Sequence, residues 1–244
     1  MAIAWSAGTA KATTGAPGRT GNGDLTITLP STAGWPHFAL IILYHDQGTG
    51  TVPTNWTQVT GSPFGAGTAK LQIFWKFLVP GEPDPVTTIS GSGTNISHCA
   101  NVALYHGVDR GTPIDAVGAA SNGTGTPMTH ATYNTATNNA VALSCSGRGD
   151  NENASGQTMG GSATGVTERL DGGTDQGNDS QVSMADKLIA TAGAAGAGSS
   201  TTSVTDPWVS VGLALRPDVT AVPSIAAPEW MTLAPRVPPE RERL

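Results

Sequence analysis

The chain has 244 residues, of which 12% are charged and 5% aromatic, with 32 Gly, 17 Pro and a formal net charge of −6. So few charges leave Ser, Thr and Asn to make the surface polar, and an acidic chain whose four lysines (Lys11, Lys70, Lys76, Lys187) are scattered is not built to bind phosphate backbones. An unbroken apolar run of about 18 residues is missing, which excludes a transmembrane helix, and the first residues, Met1 to Ser6, show no basic segment leading into an apolar core, so no signal peptide is expected.

Helical periodicity is nearly missing, because Gly, Pro or Thr interrupts every window of apolar spacing. Strand signals follow one another along the chain. Leu25, Ile27 and Leu29 alternate with Thr26 and Thr28. Phe38 to Tyr44 is a continuous apolar run, suited to a strand buried on both faces. Leu71, Ile73, Trp75 and Phe77 share one face, and Val102 and Leu104 follow Ile96. From Leu104 to Asp115 an apolar strand runs into a surface loop, with Gly107 permitting the turn, Tyr105 and Val108 bracing the exit and Pro113 fixing the loop. Val141 and Leu143 alternate, as do Val182 and Met184, and Val209, Val211, Leu213 and Leu215 form the cleanest period-2 set. About eight to ten strands separated by Gly, Pro, Asn and Ser clusters predict an all-β fold, a jelly-roll-like two-sheet sandwich spanning residues 1–217. Residues 147–167 and 191–203 read as Gly-rich loops.

Beyond Pro217 the composition changes. Six prolines between Pro217 and Pro239 predict an extended, polyproline-like tail over 218–244. It carries Ile225, Trp230, Met231, Leu233 and Val237, and apolar residues on a segment without a core of its own are expected to dock on a partner chain or neighbouring subunit.

Candidate chemistry is sparse. Cys99 and Cys145 sit in apolar strands and are expected as reduced core thiols. His45 beside Asp46, and His106 near Asp109 and Asp115, place imidazole and carboxylate at strand ends, as an acid–base pair requires and as an ordinary turn also does. No nucleophile elbow, phosphate loop or metal-ligand spacing is present, so no catalytic residue, metal or cofactor is expected. Asp171 to Asp179 gathers oxygen ligands without the spacing of a calcium loop. Arg148-Gly149-Asp150 matches an integrin-binding tripeptide that short loops produce by chance. Trp56 and Tyr133, near loops, are the candidate glycan-binding residues, set against the alternative that such rings plug the ends of a sandwich.

Several segments in order resemble one family. These are Gly23-Asp24-Leu25, Pro53-Thr-Asn-Trp-Thr-Gln-Val59, Leu71 to Lys76, Leu104 to Asp109 with Thr112-Pro-Ile-Asp115, Val166 to Leu170, Val182 to Asp186, and Trp208 to Pro217. Their order is similar to that of a β-sandwich family of accessory virion proteins of tailed phages, minor tail or head decoration proteins, over roughly residues 3–217. Asn55 stands where that pattern often has Gly, and the tail lies outside it. The resemblance implies a non-enzymatic virion structural protein, assembled in the host cytoplasm and attached through its C-terminal extension to tail or major capsid proteins. The low charge and many small residues suit a homo-oligomer, for which the resemblance offers a trimer as one form, and charge and hydropathy lead to no expected nucleic-acid or membrane partner. A carbohydrate-binding module for host-surface recognition is the alternative.

Overall fold

The computed structural model describes residues 2–8, 18–20, 23–30, 37–91, 97–150, 154–174, 179–203 and 205–219. The tail residues named above lie outside these. Twenty strands and no helix occur among the described residues.

The strands fall into two consecutive sets. The first holds β1 (Ala4–Gly8), β2 (Gly18–Thr20), β3 (Gly23–Thr26), β4 (Phe38–Asp46), β5 (Gly48–Gly50), β6 (Thr57–Gln58), β7 (Ala69–Phe77), β8 (Val86–Gly91) and β9 (Ser97–His106). They make a larger sheet, β1-β9-β4-β7-β6 with β2 also on β9, and a smaller one, β3-β8-β5. The second set holds β10 (Ile114–Val117), β11 (Ser121–Thr124), β12 (Met128–His130), β13 (Asn134–Thr135), β14 (Ala140–Arg148), β15 (Ser155–Met159), β16 (Thr167–Thr174), β17 (Ser180–Ile189), β18 (Gly193–Ala194), β19 (Gly198–Thr201) and β20 (Pro207–Leu215). Its larger sheet runs β10-β20-β14-β17-β16 with β11 also on β20, and its smaller sheet runs β12-β19-β15, beside the extra pair β13-β18.

The two sets have the same topology. Replacing β1, β2, β3, β4, β5, β6, β7, β8 and β9 by β10, β11, β12, β14, β15, β16, β17, β19 and β20 turns the first pair of sheets into the second. Within each set the chain crosses repeatedly between the larger and the smaller sheet, as in a jelly roll. The expected two-sheet sandwich is thus met twice, as two tandem jelly-roll-like units joined by residues 107–113.

The rolls pack through their larger sheets. β4 lies against β14 and β17, β7 against β14 and β20, and β9 against β17 and β16. This pairing is that of an approximate two-fold axis running along the strands. Phe38, Leu40, Ile42 and Tyr44 of β4, Leu71 and Ile73 of β7, and Tyr105 of β9 meet Val141, Leu143 and Cys145 of β14, Val182 and Met184 of β17, and Val209, Val211, Leu213 and Leu215 of β20 in one core. The other faces of the larger sheets are covered too. Ala39, Ile41, Leu43, Phe74, Val102 and Leu104 pack under β3-β8-β5 with Leu25, Ile27, Trp56 and Ile89. Ala142, Ala185 and Ala214 pack with Tyr133, Met159 and Ala195 in the second roll. Four sheets in layers, spaced by about 10 Å, give a body roughly 30 Å thick between outer sheets. The central strands β4 and β14 are buried on both faces, hence the unbroken apolar run at Phe38 to Tyr44.

Candidate functional site

The stretch from Leu104 to Asp115 forms the joint between the rolls. Gly107 has φ 75°, and a Cβ there would lie 2.3 Å from the Ala2 carbonyl oxygen, so no other residue fits. Asp109 Oδ1 accepts from Gly111 N (2.8 Å) and Thr112 N (2.7 Å), closing its own turn. Asp115 accepts from Ala136 N, Thr137 N, Thr137 Oγ1 and Arg216 Nε. Val108 bridges to Pro217, and Asp218 N donates to Gly107 O at 2.7 Å, which ties the end of the second roll back to the joint. Asp109 and Asp115 therefore serve separate turns, and no triad with His106 is assembled.

Other candidates are also absorbed by the scaffold. His45 and Asp46 are neighbours on β4 and point to opposite faces. His45 Nε2 lies 2.9 Å from Gln72 Oε1, which also accepts from Gly50 N at 2.6 Å, so the imidazole is the donor. Burial pushes its pKa down to about 4, against the opposing pull of the Gln72 hydrogen bond. His130 packs beside Tyr133 at 5.8 Å between ring centroids, and burial lowers its pKa. Trp56 is 7% exposed and sits in the core of the first roll. Tyr133 is 6% exposed and donates to Leu213 O (2.7 Å) and Leu143 O (3.2 Å). The glycan expectation needs exposed ring faces, and both rings are inside. Cys99 and Cys145 are free and buried on facing sheets, and burial pushes the Cys99 thiol up to about 12. Arg148 of the Arg-Gly-Asp tripeptide is 1% exposed, so the tripeptide is not displayed.

One end of the body does concentrate unusual chemistry. β4 and β14 both finish there, and β7, β9, β17 and β20 begin there. Arg148 Nη2 lies 3.4 Å from Asp150 Oδ1. Asp206 lies near Asp150. Its pKa is raised, first by burial and then by Asp150, with Asp179 adding and Arg148 opposing. Asp171 accepts from Ala154 N at 3.2 Å and from the Gln181 side chain. Burial pushes Asp171 up to about 7, with Glu168 adding and Arg148 opposing. Glu168 is itself raised by burial, with Asp171 opposing. Beneath them Tyr44, from the first roll, is fully buried against Gly147, and a methyl on Gly149 would sit 3.4 Å from its hydroxyl. Burial, then the charges of Asp46 and Asp206, push that phenol upward.

Sequence reasoning missed this end because its groups come from five separate strand ends, and only Arg148-Gly-Asp150 and the Asp171 to Asp179 loop drew notice. Residues 175–178 of that loop lie outside the described residues. Among the described residues no group of three or more His, Cys, Asp or Glu is arranged to hold a metal ion, and no helix is long and apolar enough to cross a membrane. No family model, curated protein or solved structure matches the chain.

Proposed function

We propose that the chain is a structural protein of a tailed-phage particle, a non-enzymatic accessory protein of the tail or of the capsid surface. In this reading the double roll is a rigid exposed body, and residues 218–244 attach it to a neighbouring virion protein. The observation that carries it is the use of Leu104 to Asp115, the most distinctive stretch of the resemblance, as the joint welding the two rolls. The groups that might have done chemistry there close turns instead. The order of the remaining motifs supports the same reading, with Leu71 to Lys76 lying in β7 and Trp208 to Leu215 in β20, the strand that flanks β14.

The test is assembly of particles in which the full chain carries Ser at Ile225, Trp230, Met231, Leu233 and Val237. The substituted chain is expected to accumulate folded in the lysate and to be lost from purified particles. Incorporation at the normal level contradicts attachment through the extension.

A further inference from the structure

The two seams between the rolls are finished differently. On one side, where β9 meets β16 and β17, the Arg169 guanidinium is held between Asp186 and the Trp5 ring and closes the seam. On the other side β7 meets β20, with β6 and β10 the outermost strands of the two larger sheets. Trp75 and Phe77 of β7 and Ile114 and Val117 of β10 pack on the shared core there and stay half-buried. The rings are fixed in place. Trp75 stacks on buried Phe38 at 5.9 Å and meets Phe77 edge-on at 6.2 Å between centroids. Exposed Arg110 lies 5.2 Å from the Phe77 ring and makes no ion pair among the described residues.

The chain leaves the body beside this edge. Asp109 N donates to Arg216 O at 2.9 Å and Asp218 N to Gly107 O at 2.7 Å, so Val219, the last described residue and 71% exposed, departs from the turn that carries Arg110. The residues that follow match the edge chemically. Pro223, Pro228, Pro235, Pro238 and Pro239 make a segment of the kind that seats on aromatic side chains at low entropic cost. Glu229 is opposite in charge to Arg110, and its neighbours Trp230 and Met231 are apolar groups that need cover. From Val219 to Trp230 the chain spans up to about 34 Å at about 3.1 Å per residue, more than the roughly 30 Å of the nine-residue β7.

We propose that in the free chain residues 220–244 dock on the Trp75–Phe77 edge of their own body, with Trp230 against the two rings and Glu229 beside Arg110. Tethering favours the chain's own segment over that of a second copy, because it holds the segment at an effective concentration of the order of millimolar. The docked position stores the extension until a neighbouring protein takes it over. It does not rest on the virion reading, since storage is measured on the free chain and attachment on particles.

The experiment is limited trypsin digestion of the intact chain at several chain concentrations, following cleavage after Arg236 by mass spectrometry. That bond is expected to be cut at least about tenfold more slowly than in a synthetic peptide of residues 220–244, the ratio that a docked population of about nine-tenths gives. Trp75→Ala should speed the cut by about tenfold, as loss of an aromatic anchor does. Arg110→Glu changes an exposed side chain, so the fold is kept, and should speed it by about threefold. Combining Arg110→Glu with Glu229→Arg should restore the slow cut, which a merely structural arginine would not do. Leu188→Ser, an exposed apolar side chain on β17, should leave the rate unchanged. The proposal is overturned by a bond cut as fast as in the peptide, or by protection that ignores both Trp75→Ala and Arg110→Glu. Protection that grows with chain concentration also overturns it, because the edge is then taken by a second copy.

Discussion

At the scale of single residues, the molecule is shaped by side chains whose neighbours leave them one role. Gly147 faces the shared core, where a Cβ would lie 2.7 Å from Tyr44. Gly147→Ala should therefore destabilise the fold by about 1–3 kcal/mol through overpacking, measured by chemical denaturation. Gly212 plays the same part in the second roll, where a Cβ would come within 2.2 Å of the Tyr133 ring. Asp171 carries a prediction about pH. Its pKa is raised from 3.8 to about 7, so between those values the native chain keeps a proton that the unfolded chain has released. Its contribution to stability is full below pH 3.8, falls as pH rises through 7 and is flat above. His45, lowered from 6.5 to about 4, acts oppositely, since its contribution is present above pH 6.5 and is lost as pH falls through 4. In thermal denaturation as a function of pH, the two slopes oppose one another between pH 4 and 6.5, so Asp171→Asn should make stability climb more steeply with pH over that range and raise it at pH 8. A pH profile that the substitution leaves unchanged contradicts the burial of that carboxyl.

At the scale of elements, the rolls are clasped at the end opposite the acid cluster. Tyr105 of β9 donates to Asp186 Oδ2 of β17 at 3.0 Å, and Arg169 Nε of β16 reaches the same oxygen at 2.8 Å. The Arg169 guanidinium lies 5.3 Å from the Trp5 ring, which meets Tyr105 edge-on at 5.4 Å. Tyr105→Phe should cost about 1 kcal/mol, whereas Asp186→Ala should cost about 2–3 kcal/mol because it leaves the buried phenol unmatched. A double-mutant cycle should show coupling between them, and additive effects would place no bond across the rolls. What the sequence made legible follows from strand length. β4, β7 and β20 each have nine residues, enough for an apolar run or a period-2 pattern to show. The covering strands β5 (Gly-Thr-Gly) and β12 (Met-Thr-His), the edge strand β6 and the paired strand β13 have three residues or fewer, too few to show a periodicity. Without them the repeat was invisible, and a single sandwich was the natural reading. Trp56 and Tyr133 were misplaced for the same reason. Each adjoins a turn-rich segment that reads as exposed, yet each fills the space beneath a short cover strand.

At the scale of the whole molecule, two rolls with the same topology share one core, and each larger sheet has a face in that core. Neither roll can lose its larger sheet without exposing the other's. Calorimetry of the intact chain should therefore show one transition, with calorimetric and van't Hoff enthalpies in agreement. Two resolved transitions would mean that the rolls are independent domains. The acid-lined end and the joint at 107–113 sit at opposite ends of this body. The central claim is that this body is part of a phage particle. The most direct test is electron cryomicroscopy of purified particles. The expected density is a repeated four-layered body about 30 Å thick, taking sheets about 10 Å apart, continuing from its Pro217 end into a neighbouring virion protein. Particles that infect normally and contain no copy of the chain contradict it.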